Sequence, residues 1–311
     1  MSSAPLYISA KEVAQLLNHQ DLLSCLESAL RNFSKGEEGG VVQPVRAVVP
    51  VQDHNGFLGA MPGYSKKDQA LASKLVCFYP DNTDIPTHSA VILLFNPQNG
   101  VLQAVMDGEE ITKTRTAMAS AVATKYLAKP TSKVLAVIGS GVQAYSHVEA
   151  LSMLFKFDEI RIYSRNAEKR EICASKVGGT ACSSAQEAVQ DADIIVTATF
   201  SQTPVLKKEW VKEGAHINAV GACTPTWQEL DPDLVRSAIL YVDSRDAALK
   251  ESGDIILSKA EIFGEIGEVI NGEKKAYQEK TTIFKSLGMA IEDVVAAKLV
   301  YDAYSSKEHH R

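Results

Sequence analysis

The sequence predicts an α/β protein in which a doubly wound parallel sheet is joined to an α+β unit with an antiparallel sheet. Three observations predict it. The apolar, β-branched run Val134–Ile138 passes straight into Gly139-Ser140-Gly141-Val142-Gln143-Ala144. Strand and helix patterns alternate after it. Before it, from Val41 to Gly108, short strand patterns follow one another without helices between them, which implies antiparallel pairing.

Each element follows in order. Ser9 and Glu12 make a capping box ahead of Val13, Leu16 and Leu17. Leu22, Leu23, Leu26, Ala29, Leu30 and Phe33 repeat at helical spacing, and Gly36 to Gly40 ends the repeat. Strands are expected at 41–51, 57–64, 72–79, 90–95 and 101–106, with Asn99-Gly100 as a hairpin turn between the last two. A helix is expected over 114–127, ending before Pro130. Pro130-Thr131-Ser132 marks the sharpest change of pattern and the expected domain junction. Beyond it, strands are expected at 134–138, 159–163, 193–199, 216–220, 239–242 and 282–287. Helices are expected at 142–155, 167–176, 185–191 and 260–270. Residues 290–304 read as an amphipathic helix, and Lys307 to Arg311 as a disordered tail.

The glycine run is the Rossmann dinucleotide fingerprint, with Ala in its third small position. Gly139 permits the tight turn, Gly141 lets backbone approach a pyrophosphate, and Ala144 lets the helix pack on the strand. A helix N-terminus then offers N–H groups and a positive dipole end to the phosphates. The end of the second strand distinguishes NAD from NADP. NAD sites place an acid there, whereas this chain reads Tyr163-Ser164-Arg165-Asn166. Arg165 offers a planar donor fork to a 2′-phosphate, Ser164 and Asn166 add neutral donors, and no carboxylate repels it. The expected cofactor is NADPH, with NADH weaker.

The net charge is −6, so no global basic character recommends nucleic acid. The 5 cysteines are scattered without metal-ligand spacing and read as thiols of a reducing compartment. No cationic-then-apolar start and no apolar run of ~18 residues occur, so a cytoplasmic protein with no membrane partner is expected. No metal cluster and no Ser-His-Asp order stands out. The candidates for chemistry are isolated polar residues in apolar strands and at loops: Arg46, Lys74, His88, Arg115 and Glu251. Arg46, read within a strand over 44–49, and Lys74 in the next strands would suit a carboxylate. A desolvated lysine also trades protons near neutral pH.

The fingerprint residues, together with Gln43-Pro44-Val45-Arg46, Met106-Asp107-Gly108, Asn218-Ala219-Val220-Gly221-Ala222, Lys250-Glu251-Ser252-Gly253-Asp254 and Lys285-Ser286-Leu287-Gly288-Met289, carry a resemblance. On them the chain resembles the ornithine cyclodeaminase/μ-crystallin family nearly end to end, and its μ-crystallin branch in particular. The resemblance implies NADPH-dependent reduction of the C=N bond of cyclic ketimine carboxylates by a homodimer. It implies a substrate-binding and dimerisation domain of residues 1–113 with 290–311, and an NADP-binding domain of 114–289. By matched position, Arg115, Thr116, Val142, Gln143, Thr199, Val220 and Ser286 would join Gly139, Gly141, Ser164, Arg165 and Asn166 around the cofactor. Thr87 and His88 would lie near the nicotinamide. Arg46, Lys74, Phe78, Arg115 and Glu251 would line the substrate pocket, with Trp227 and Cys223 on its wall. Lys74, Glu251 and His88 are the catalytic candidates, with Lys74 and Glu251 the two for proton handling. The resemblance also implies iodothyronine as a second ligand. An NADPH-regulated hormone-binding protein, or an amino-acid dehydrogenase of the same family, are the alternative readings. Two departures bear on this. Cys223 stands where the cyclodeaminase branch has an acid. Thr224 and Thr226 stand where the μ-crystallin branch has Arg and Asp.

Overall fold

The computed structural model describes residues 4–309 and divides into two compact units. One runs to Arg115 and resumes at Met289; the other is Thr116–Gly288. The division falls inside a helix, not at Pro130-Thr131-Ser132. Pro130 ends that helix but begins a turn that belongs to the second unit.

The first unit opens with β1 (Leu6–Ile8), α1 (Ala10–Leu16) and α2 (His19–Phe33). The Ser9 N–H and hydroxyl both donate to the Glu12 carboxylate, at 2.9 and 2.6 Å, so the capping pair starts α1 as expected. There follow β2 (Val41–Val42), β3 (Ala47–Val51), β4 (Gly56–Ser65), β5 (Ala70–Phe78), β6 (His88–Phe95) and β7 (Leu102–Asp107). They form one sheet in the order β1-β7-β6-β5-β4-β2, with β3 also on β4. Only β1, a strand too short for periodicity to predict, runs parallel to its neighbour β7. The expected single strand 41–51 is two strands, and Arg46 lies in the link between them. Pro44 lacks the N–H that a continuous ladder needs.

Alternation decides which side chains go inside. Ala70, Ala72, Lys74 and Phe78 of β5 are buried, as are Ile92 and Leu94 of β6 and Ala104 and Met106 of β7. The last helix, α11 (Ala290–His309), packs against β4, β5, β6 and α2. Residues 290–297 of α11 are buried on every side, so it is a central helix and not the amphipathic one expected. It also continues through Lys307 to His309, where a disordered tail was expected; His310 and Arg311 lie outside the described residues.

The connecting helix α3 (Gly108–Leu127) begins six residues before the expected Thr114. Asp107 explains the early start: its carboxylate accepts from the Glu110 N–H at 2.8 Å. The second unit then alternates β8 (Val134–Ile138), α4 (Val142–Ser152), β9 (Glu159–Tyr163), α5 (Ala167–Val177), β10 (Thr180–Ala181), α6 (Ala185–Val189), β11 (Ile194–Thr197) and β12 (His216–Ala219). It ends with α7 (Pro232–Ser237), β13 (Ile239–Val242), α8 (Arg245–Glu251), α9 (Gly253–Ser258), β14 (Gly264–Glu265), α10 (Ile266–Ile270) and β15 (Thr282–Lys285). All eight strands are parallel, in the order β10-β9-β8-β11-β12-β15-β13-β14. The chain winds outward in both directions from β8, so the switch point lies between β8 and β11. Ala136, Ile138, Ile195, Ile217, Leu240 and Ile283 build the core beneath. The expected helix 260–270 is helical only from Ile266. Among the described residues, no helix is long and apolar enough to cross a membrane.

Candidate active site

The fingerprint residues stand at the C-terminal end of β8. Gly139 has φ +135°, and a Cβ there would lie 2.5 Å from the Ala198 carbonyl oxygen, so the turn requires glycine. Gly141 has an ordinary φ of −83°, and a Cβ on it would meet no atom within 4 Å. Its missing side chain is therefore not demanded by the protein's own packing. Ala144 is fully buried against the sheet. No side chain caps α4, so its amide end remains for a phosphate. Ser286, at the end of β15, is buried with a hydroxyl that has no hydrogen-bond partner among the described residues. An open glycine, an uncapped helix and an orphaned hydroxyl at the strand ends fit a dinucleotide.

The remaining cofactor candidates are placed as follows. Val142 is exposed and Gln143 half-buried on the first turn of α4. The Gln143 carbonyl accepts from His147 Nδ1 at 2.7 Å, and His147 Nε2 meets Ser120 at 2.9 Å. Burial drives His147 down to about 4, so it is a neutral structural histidine. Ser164 and Arg165 form the turn after β9, where the Ser164 hydroxyl donates to the Asn166 carbonyl at 3.1 Å. Asn166 spends its amide oxygen on capping α5, accepting from Lys169 N–H at 2.8 Å. Thr199 and Val220 continue the ends of β11 and β12.

A buried carboxylate holds those two strand ends. Glu229 accepts from Thr197 and Thr199 hydroxyls and from the Thr199, Gly221 and Ala222 N–H groups, at 2.6–3.2 Å. Asp254 accepts in turn from the Glu229 and Leu230 N–H groups, and its other oxygen lies 3.2 Å from fully buried Lys285, outside hydrogen-bond geometry. Burial raises the Glu229 carboxyl, against the pull of Lys285. The reading of the sequence missed this network. Its members are single residues in unrelated segments, and only the fold assembles them. Cys223 and Trp227 lie half-buried on the loop after β12, where Trp227 meets Phe200 edge-on at 5.7 Å. Glu251 is half-buried at the end of α8.

The first unit holds the cationic candidates. Lys74 Nζ lies 2.8 Å from Asp293 and 3.3 Å from the Thr112 hydroxyl. Arg115 donates Nε to Asp293 at 3.0 Å and Nη1 to Glu292 at 2.6 Å. All four charged side chains are at most 4 % exposed. Burial pushes Lys74 down to about 8, with Arg115 and Arg46 adding to the fall and Asp293 resisting it. Arg46 is half-buried in the link between β2 and β3. Asp293 and Glu292 were not foreseen as partners. The signal was present: two acids heading an otherwise apolar run need buried cations. The Phe78 and His88 rings are 4.5 Å apart, and Thr87 meets His88 Nδ1 at 3.2 Å. His88 keeps an exposed rim, yet its crowded surroundings, and then Lys74, lower its pKa. Thr87 lines a cleft of about 880 Å³ within this unit, beside Tyr79, Asn82 and Glu109. Thr116 is buried on α3. Among the described residues no acid, histidine or cysteine group could hold a metal ion.

Known proteins match this arrangement from end to end. Ketimine reductase mu-crystallin of Mus musculus is 59% identical over 98% of this chain and 99% of its own. The structure of Thermococcus litoralis Δ1-pyrroline-2-carboxylate reductase, in complex with NADH and L-proline, has a TM-score of 0.92 at 36% identity, covering 97% of this chain and 98% of that one. An archaeal alanine dehydrogenase dimer with bound NAD has a TM-score of 0.91 at 35% identity, covering 98% and 97%. The model of the ornithine cyclodeaminase/mu-crystallin family matches residues 4–308, and with these relatives it shows that the chain belongs to that family.

Proposed function

We propose that the protein is an oxidoreductase that reduces the C=N bond of a cyclic ketimine carboxylate, of the piperideine-2-carboxylate or pyrroline-2-carboxylate type, to the cyclic imino acid. The observation that carries this reading is the buried group of Lys74, Arg115, Asp293 and Glu292, whose lysine also feels the charge of Arg46. It combines a carboxylate-binding charge with a lysine that titrates near 8. The names of the reductases among the relatives support the same reaction class.

NADPH, when bound, supplies the hydride for the imine carbon. Gly139, Gly141, Val142 and Gln143 would hold its pyrophosphate, and Ser164, Arg165 and Asn166 would favour its 2′-phosphate over a free 2′-hydroxyl. Thr199, Val220 and Ser286 would hold the cofactor at the strand ends, and Thr87, His88, Arg115 and Thr116 are the further residues that the family resemblance assigns to it. Arg46 binds the substrate carboxylate by charge-assisted hydrogen bonds and so orients the ring. Lys74 gives its Nζ proton to the imine nitrogen, making the iminium whose carbon accepts the hydride, and is left as the neutral amine. Arg115 holds Asp293, which holds Lys74. Glu251 would stabilise the iminium charge, and the apolar wall is assigned to Phe78 and Trp227 by the family resemblance. Cys223 supplies no carboxylate there, which disfavours cyclodeamination. The working form is a homodimer, a reading that the archaeal alanine dehydrogenase dimer supports. Five free thiols suit a reducing, cytoplasmic setting.

A panel of five- and six-membered ketimine carboxylates, assayed with NADPH and with NADH, tests the reading. We expect turnover of cyclic substrates with a preference for NADPH. Oxidation of neither cofactor by any member of the panel would overturn it. Arg46→Ala should raise KM for the ketimine about tenfold or more while NADPH still binds. An unchanged KM would remove Arg46 from carboxylate binding.

A further inference from the structure

The turn after β9 holds a second guanidinium that the fingerprint does not require. Arg170, on α5, reaches back over the turn and donates Nη1 to the Ser164 carbonyl at 3.1 Å. Its guanidinium lies over the Tyr163 ring, 5.8 Å from the centroid. Arg161, on β9 itself, is neutralised by Glu159 at 2.5 Å. Neither Arg165 nor Arg170 forms an ion pair with a carboxylate among the described residues, and the buried Nε of Arg170 has no hydrogen-bond partner. A cation in the first turns of a helix also works against the helix dipole. Helix stability therefore does not explain Arg170. Two unneutralised guanidiniums flanking one strand end suit a doubly charged anion.

We propose that Arg170 is a specificity-determining residue for the adenosine 2′-phosphate, acting with Arg165, and that it also fixes the Ser164-Arg165 turn that meets the phosphate. The proposal rests on the NADPH reading and deepens it. The contact with the Tyr163 ring and the bond to Ser164 hold the guanidinium, while Nη2 makes no hydrogen bond among the described residues. A planar guanidinium held this way loses little further freedom when it meets a phosphate.

The test uses the full-length protein and two probes that differ only in the 2′-phosphate: adenosine 2′,5′-bisphosphate and adenosine 5′-monophosphate. Affinities are measured by calorimetry for the wild type, Arg170→Ala, Arg170→Lys and Arg165→Ala. The wild type should prefer the bisphosphate. Arg170→Ala should weaken the bisphosphate about tenfold, equivalent to ~1.4 kcal/mol, and leave the monophosphate unchanged. Arg170→Lys should recover part of the loss, because it keeps the charge without the planar fork. The ratio of KM for NADPH to KM for NADH should rise in parallel. Equal weakening of both probes, or no weakening of either, with wild-type preference intact, would make Arg170 merely structural. A wild type without preference for the bisphosphate would instead overturn the NADPH reading, and the proposal with it.

Discussion

Lys74 shows how much a single residue's role depends on partners remote in sequence. Its place in an apolar strand was legible, and so was the charge of Arg46 and Arg115. The acid that holds it was not, because Asp293 lies in α11, at the far end of the chain from β5. Burial lowers Lys74 from 10.5 to about 8, and the Asp293 charge is what keeps it from falling further. A reductive step that takes a proton from Lys74 needs the ammonium, so kcat/KM for the ketimine should fall as pH rises through about 8. Asp293→Asn removes the stabilising charge, and the falling limb should move to lower pH by about one unit or more. The variant also leaves Lys74 and Arg115 with one carboxylate fewer, at a cost of about 3 kcal/mol in stability. A pH profile of the folded variant with its limb unmoved would remove Lys74 as the proton donor.

At the scale of elements, the two fingerprint glycines make different demands. Gly139 is required by backbone geometry; Gly141 is not. Gly139→Ala should therefore lower stability by about 2–4 kcal/mol and weaken nucleotide binding as a consequence. Gly141→Ala should leave the melting temperature unchanged or slightly raised, since alanine accepts its φ of −83°. It should still weaken NADPH about tenfold or more, because the added methyl occupies the approach to the phosphates. Thermal melts paired with NADPH titration separate the two, and a Gly141→Ala variant that binds normally would refute that approach. Strand β8 and the start of α4 could be read from sequence because strand, turn and helix signals coincide within eleven residues. Helices α7, α8 and α9 could not. At six or seven residues each they are too short for helical periodicity, although Asp231, Ser244 and Ser252 cap them in turn. The central burial of α11 was hidden for another reason: Glu292 and Asp293, which read as part of a solvent-facing stripe, are buried against Arg115 and Lys74.

The whole molecule poses a question that the single chain leaves open at β3. Among the described residues this strand pairs only with β4, and its residues Ala47 to Pro50 are all exposed. Val48 is 50% exposed and Val49 60%, with Val42 of the preceding strand at 63%. An apolar strand with one free edge is an aggregation hazard unless another chain covers it. The sequence pattern marked these residues as a strand but gave no clue that both of its faces would be open, since alternation reports only faces that differ. A homodimer that buries β3 resolves the exposure. Sedimentation equilibrium should then give twice the chain mass. Val48→Lys with Val49→Lys should shift the protein toward the chain mass, at a cost to the folded monomer within about 0.5 kcal/mol per site, because neither side chain is packed within it. The monomer so produced should keep its circular dichroism spectrum. A double variant that stays dimeric would remove β3 from the contact. A wild type that sediments at the chain mass would leave β3 uncovered and remove the homodimer from the reading.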